Sequence, residues 1–123
     1  MATTVILPPT AVLETAAAEL VGASGTVARQ NALNKGLYDL LLGAELIAVA
    51  GGFLLPSSSR SGLVHRYDNA TGQCDCEAGR NGRTCRHAAM IEIVEQAQQR
   101  AIPVVERITA YKRAMAASVE LFG

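Results

Sequence analysis

The chain has 123 residues, and its eleven Lys and Arg are balanced by eleven Asp and Glu. This length allows one compact domain, and a formal charge of zero excludes a strongly basic nucleic-acid coat protein or an acidic tail. Half of the residues are hydrophobic although only 4% are aromatic, a composition too apolar for an intrinsically disordered chain.

The N-terminal residues predict an extended arm followed by a helix. The arm covers residues 1–9, and Thr10 is the predicted N-cap because its hydroxyl can accept a hydrogen bond from the first helical turn. Apolar side chains recur at helical spacing over residues 11–21. No Lys or Arg precedes Arg29, so the basic region of a signal peptide is missing and we expect a cytoplasmic protein.

A second helix follows a short segment rich in Gly and Ser. We expect Ser24 or Thr26 to cap its start, and Gly43 to stop it after Leu42. Gly36 inside this helix costs about 1 kcal/mol relative to Ala and allows a kink. The predicted buried stripe consists of Val27, Leu33, Leu37, Leu40 and Leu41.

The middle of the chain predicts three short strands. The first covers residues 45–50 and turns at Gly51–Gly52 into a second over residues 53–57. A Ser-rich loop leads to the third strand, residues 63–68, whose alternation places His65 and Tyr67 on one face. The longest uncharged apolar run, residues 46–55, has ten residues, whereas a membrane span needs about 20. We therefore expect no membrane partner.

All three cysteines lie within twelve residues, and one of the two histidines ends the same cluster. Cys74, Cys76, Cys85 and His87 form the pattern C-x-C-x8-C-x-H. Zn²⁺ prefers such a four-coordinate set, and a filled Cys₃His shell leaves no position for water or substrate. The pattern therefore predicts a structural zinc site that is not catalytic.

The local sequence is compatible with this site. Cys74 and Cys76 flank one residue, so on a strand they would point to the same face. Residues 77–84 contain two Gly and predict a turn. A third helix over about residues 85–100 would put the last two ligands in its first turn, where free N–H groups favour thiolate. Its predicted buried face is Met90, Ile93, Val94 and Ala97.

Two other interpretations of the cysteines are open. They could be buried and inert, since Cys is often buried, but the segment around them is rich in Gly and Arg. Cys74 and Cys76 could form a redox pair, which leaves Cys85 and His87 unexplained. An iron–sulfur cluster is disfavoured, because such clusters normally use four cysteines and this chain has three.

A last helix is predicted from about Val104 to Leu121. Its apolar stripe fits the core better than a dimer seam, although dimerisation through it is an alternative. We thus expect an α+β fold in which a small antiparallel sheet and its zinc-stabilised turn pack against N- and C-terminal helices. The predicted segments are a helical part over 1–43, the zinc unit over 44–100 and the C-terminal helix over 101–123.

The cysteine pattern resembles the SWIM-type zinc finger, whose signature is C-x-C, a variable spacer and C-x-H. The two predicted strands before Cys74 and the small residues of Ala88-Ala89-Met90 are similar to the parts of that family on either side of the ligands. The resemblance covers about residues 45–98. It implies a small module of a bacterial or mobile-element protein that takes part in DNA binding or protein–protein interaction.

Local charge is the residue-level argument for nucleic acid. Between Ser57 and Met90 there are five basic residues against three acidic ones, and a Cys₃His zinc centre would reduce the excess to one. Arg suits bidentate contacts to phosphate. The candidate nucleic-acid contacts are Arg60, Arg66, Arg80, Arg83 and Arg86.

Two further functions are considered beside nucleic-acid binding. One is a protein–protein adaptor or dimerisation module with no direct nucleic-acid contact. The other is an enzyme, for which the sequence offers neither paired carboxylates at a suggestive spacing nor a Gly-rich phosphate loop. His65 is the one spare histidine, and we expect it to be a hydrogen-bonded strand residue. We therefore expect neither catalysis nor a small-molecule substrate.

Overall fold

The computed structural model describes residues 2–57 and 62–100. These residues form an α+β fold, as predicted, in which helices pack on a five-stranded antiparallel sheet. In chain order the elements are β1 (Thr3–Thr4), α1 (Thr10–Gly22), α2 (Val27–Leu41), β2 (Ile47–Val49), β3 (Gly52–Pro56), β4 (Val64–Asp68), β5 (Gln73–Cys74), α3 (Glu77–Arg80) and α4 (residues 86–100).

The sheet is a meander with the strand order β1-β2-β3-β4-β5. Its two outer strands were not predicted. Thr3 pairs with Ala48, so part of the predicted extended arm is a strand of the sheet, and Cys74 pairs with Tyr67. Both outer strands have only two residues, which is too short for an alternating pattern to be visible in the sequence.

The β2–β3 hairpin turns one residue earlier than predicted. Val49 pairs with Gly52, so the turn consists of Ala50 and Gly51, and Gly51 has the positive φ of 76°. Gly52 belongs to the strand, where an added Cβ would lie 1.9 Å from the carbonyl oxygen of Tyr67. This close backbone approach, and not turn geometry, requires the second glycine.

The helix ends follow the predictions with one exception. The Thr26 hydroxyl accepts the N–H of Arg29 at 3.2 Å and caps α2, which Gly43 terminates with a φ of 91°. The prediction of Thr10 as an N-cap is wrong, because α1 already begins there and Pro9 occupies the N-cap position without a side-chain hydrogen bond.

One core joins the helices to the sheet. Leu13, Leu33, Leu46, Leu55 and Ile93 are almost completely buried in it. The predicted face of α4 is confirmed, since its four members are also buried. The predicted stripe of α2 is wrong at both ends, where Val27 is 70% exposed and Leu41 is 42% exposed. The helix turns these positions away from the sheet.

Helix α4 runs antiparallel to α2, as two ion pairs in reversed order show. Arg29 near the start of α2 binds Glu92, and Asp39 near its end binds Arg86. Between these pairs, a Cβ on Gly36 would lie 3.0 Å from the carbonyl oxygen of Arg86. Gly36 therefore allows the first turn of α4 to approach α2 closely, and α2 continues through it as one helix.

Some predicted features lie outside the described residues. These are the C-terminal helix with its apolar stripe and the part of the Ser-rich loop that contains Arg60. Within residues 2–57 and 62–100, no helix is both long and apolar enough to cross a membrane.

Candidate metal centre

The structure brings the four predicted ligands together at the junction of β5, α3 and α4. Cys74 lies on β5, Cys76 is the N-cap of α3, Cys85 directly precedes α4, and His87 lies in the first turn of α4. Their ligand atoms all lie within 4.8 Å of one another. All four residues are buried, with no side chain more than 7% exposed.

The C-x-C pair converges by a different route from the one predicted. Strand alternation does not apply, because β5 ends at Cys74 and Cys76 already begins the turn into α3. The residue between them anchors this change of direction. Asp75 donates its N–H to the carbonyl of Arg66 at 3.0 Å, and its carboxylate accepts the Arg66 N–H at 2.9 Å.

The predicted turn between the ligand pairs contains the one-turn helix α3, in which Gly79 is buried against β5. A Cβ at Gly79 would lie 2.0 Å from the carbonyl oxygen of Cys74. The Gly79 N–H points to the Cys76 sulfur at 3.4 Å. A side chain at this position would thus force apart the two segments that carry the first two ligands.

The surroundings of the cluster favour the thiolate at Cys85 and the neutral thiol at Cys74. The Ala88 N–H donates to the Cys85 sulfur at 3.3 Å, at the N-terminus of α4. Interaction with the neighbouring Cys74 thiol lowers the pKa of Cys85 to about 4. The same interaction raises the pKa of Cys74, and burial raises it further.

His87 provides the test of whether a metal fits. Both of its ring nitrogens are buried, and neither has a hydrogen-bond partner among the described residues. A buried nitrogen without a partner costs about 1–3 kcal/mol, and a metal bond removes this cost for one of them. Zinc–sulfur bonds of about 2.3 Å place tetrahedral sulfurs roughly 3.8 Å apart, which is compatible with the observed cluster. The three thiols are free of disulfides.

A second histidine lies against the cluster. The ring centroids of His65 and His87 are 4.9 Å apart, and the planes are inclined by 48°. The Nδ1 atom of His65 lies 3.2 Å from the Asp75 carboxylate, which confirms the expectation of a hydrogen-bonded strand residue. The sequence alone did not predict its contact with His87, because the packing of β4 against α4 decides it.

The candidate arginines differ in position and in whether another group already pairs with them. Arg86 makes a two-pronged ion pair with Asp39, in which both N···O distances are 2.7 Å. Arg66 follows His65 on β4, so the two side chains point to opposite faces of the sheet. The Arg66 guanidinium donates to the carbonyl of Ala50 at 2.8 Å. Arg60 lies outside the described residues.

Arg80, Arg83 and the ion-paired Arg86 line a cavity of about 780 Å³ beside the cluster. Arg80 and Arg83 belong to the segment between the two ligand pairs, and α2 contributes Lys35. Neither the Arg80 nor the Arg83 side chain has a hydrogen-bond or ion-pair partner in the part of the chain that the structure describes. Glu77 is the one acidic residue in the lining, so the cavity has a positive excess. Lys35 was missed because only the packing of α2 brings it here.

The fold and the site define an α+β protein with a buried Cys₃His group, a donor set that is typical of zinc. The chain matches no protein-family model, and neither the curated proteins nor the solved structures contain a match.

Proposed function

We propose that the chain is a non-enzymatic module in which one structural zinc ion supports a surface for binding nucleic acid. Cys74, Cys76, Cys85 and His87 would hold the ion. The observation that carries this proposal is the burial of two unpaired imidazole nitrogens among three free thiols. Such a group is costly to bury unless a metal occupies it. Four protein ligands complete a zinc shell, which is why we propose no catalytic role.

Metal analysis tests the first half of this proposal. We expect one zinc per chain in protein purified without chelators, and Co²⁺ should give the absorption of a tetrahedral thiolate site. Cys76→Ser should lose stoichiometric metal, whereas Ser24→Ala, a helix-end variant far along the sequence, should keep it. Wild-type protein that contains no metal and does not take up Co²⁺ would refute the assignment.

The nucleic-acid half rests on the cavity beside the metal group. Lys35, Arg80 and Arg83 line it, and the two arginines are free to form bidentate contacts with phosphate. The resemblance of the cysteine pattern to the SWIM-type finger supports the same function. Because Arg86 is ion-paired and Arg66 is bonded to the Ala50 carbonyl, we assign them smaller roles than Arg80 and Arg83.

A gel-shift titration with duplex DNA at several salt concentrations tests this assignment. Each lost phosphate contact should reduce the slope of log affinity against log salt by about 0.9. The Arg80→Ala/Arg83→Ala variant should therefore bind more weakly and with a slope lower by about 2. Arg66→Ala is the matched control and should retain most of the binding. If wild-type protein shows no shift at low salt, the nucleic-acid function is wrong.

An adaptor function is the second candidate, and the exposed side of α2 favours it. Val27 and Tyr38 lie on one face of the helix and are 70% and 61% exposed, and Leu42 at its end is 69% exposed. Large apolar side chains on one face are typical of a surface that contacts protein. Light scattering decides whether this partner is a second copy. Tyr38→Lys should then convert a dimer to a monomer, and a wild-type monomer would exclude this form of the adaptor.

A further inference from the structure

Metal-binding histidines usually have a second hydrogen bond that fixes the ring. The nitrogen that does not bind metal donates to a carboxylate, a carbonyl or water, and loss of this partner weakens metal binding by about 10- to 100-fold. His87 has no such partner for either nitrogen within residues 2–57 and 62–100. Its orientation must therefore come from packing.

We infer that His65 is the residue that positions the His87 ring for metal binding. Its ring is the aromatic neighbour of His87, at a centroid distance of 4.9 Å and an inclination of 48°. These values lie in the range of favourable aromatic pairs. The side chain of His65 is only 16% exposed, so it has little freedom to move away.

Asp75 holds His65 in this position. Its carboxylate oxygen lies 3.2 Å from Nδ1 of His65 and also accepts the backbone N–H of Arg66 at 2.9 Å. Asp75 lies between the ligands Cys74 and Cys76. It therefore connects these two ligands, through His65, to the packing of the ligand His87. This assigns a role to His65 and Asp75 that the donor set alone does not require.

The rate of zinc transfer to a chelating dye tests this inference, because it measures how well the ligands are held. His65→Ala should release zinc about two- to tenfold faster than wild type, the factor that corresponds to the loss of a favourable aromatic pair. His65→Phe keeps a ring against His87 and should restore most of the slow release. Asp75→Asn keeps an acceptor oxygen and should also stay near wild type.

Val64→Ala, on the same strand but 50% exposed, controls for general loosening of β4. Co²⁺ spectra of the same variants provide a second measurement, and only His65→Ala should show an altered ligand field. If His65→Ala releases zinc at the wild-type rate with an unchanged spectrum, the inference is overturned. It is equally overturned if His65→Ala and His65→Phe lose zinc equally fast. Wild-type protein without metal would instead refute the proposed function itself.

Discussion

Gly79→Ala is the sharpest test of how the fold holds the metal group. The added Cβ would lie 2.0 Å from the Cys74 carbonyl oxygen, whereas real Cβ contacts are essentially never closer than 3.0 Å. Helix α3 or the Cys74 peptide must therefore move by about 1 Å, the difference between these two distances. Both are backbone segments within a hydrogen-bonded unit, so neither can yield as a flexible side chain would.

The expected cost is at the upper end of the range for overpacking, about 3 kcal/mol. Since every 1.4 kcal/mol is a factor of ten, a strain of this size that is relieved when the metal leaves weakens zinc binding about 100-fold. The movement separates Cys74 from Cys76, so we expect most of the cost to appear in metal affinity.

Competition for zinc with a chelating dye measures this affinity, and a thermal melt measures the stability of the whole fold. Gly25→Ala is the matched control, because its Cβ would meet no atom within 4 Å. The reasoning is refuted if Gly79→Ala binds zinc and melts like Gly25→Ala.

The remaining predictions concern the metal, the pH and the packing of α2. Cys76→Ser should remove hydrogen-exchange protection from residues 73–85 while the main core stays folded, because the cysteine cluster is separate from that core. Loss of protection throughout the chain would contradict this. Zinc affinity should fall with decreasing pH, by about tenfold per pH unit for each proton released. The reason is that metal binding must displace the proton from Cys74, whose pKa is raised. Titrations at pH 6, 7 and 8 that gave the same affinity would contradict this. Gly36→Ala should destabilise the fold by about 1 kcal/mol in urea, since overpacking against Arg86 outweighs the gain in helix propensity; a more stable variant would show that α4 can move away.

The fate of the sheet after metal loss illustrates what the sequence could not reveal. Residues 63–87 contain few apolar side chains, and this composition alone predicts that the sheet melts when a metal ligand is lost. In the structure, Leu55 is buried in the main core and Phe53 and Tyr67 pack against it. Strands β3 and β4 therefore have apolar support outside the cysteine cluster, so we expect metal loss to affect mainly β5 and α3.

The sequence by itself determined the donor set and the two longer helices near it. Cys74, Cys76, Cys85 and His87 are recognisable because zinc chemistry demands these residue types, and their short spacing leaves few ways to separate them. Helix α2 and the buried face of α4 were predictable because capping residues and apolar periodicity are local signals.

Only the tertiary structure decided the features that depend on contacts between distant segments. Strand β1 exists because β2 is available to pair with it, and Gly79 is needed because α3 lies against the Cys74 carbonyl. The contact of His65 with His87 and the ion pair of Arg86 with Asp39 join residues that are 22 and 47 positions apart. Such contacts carry no periodic or spacing signal, because the packing of β4, α2 and α4 alone sets their distances.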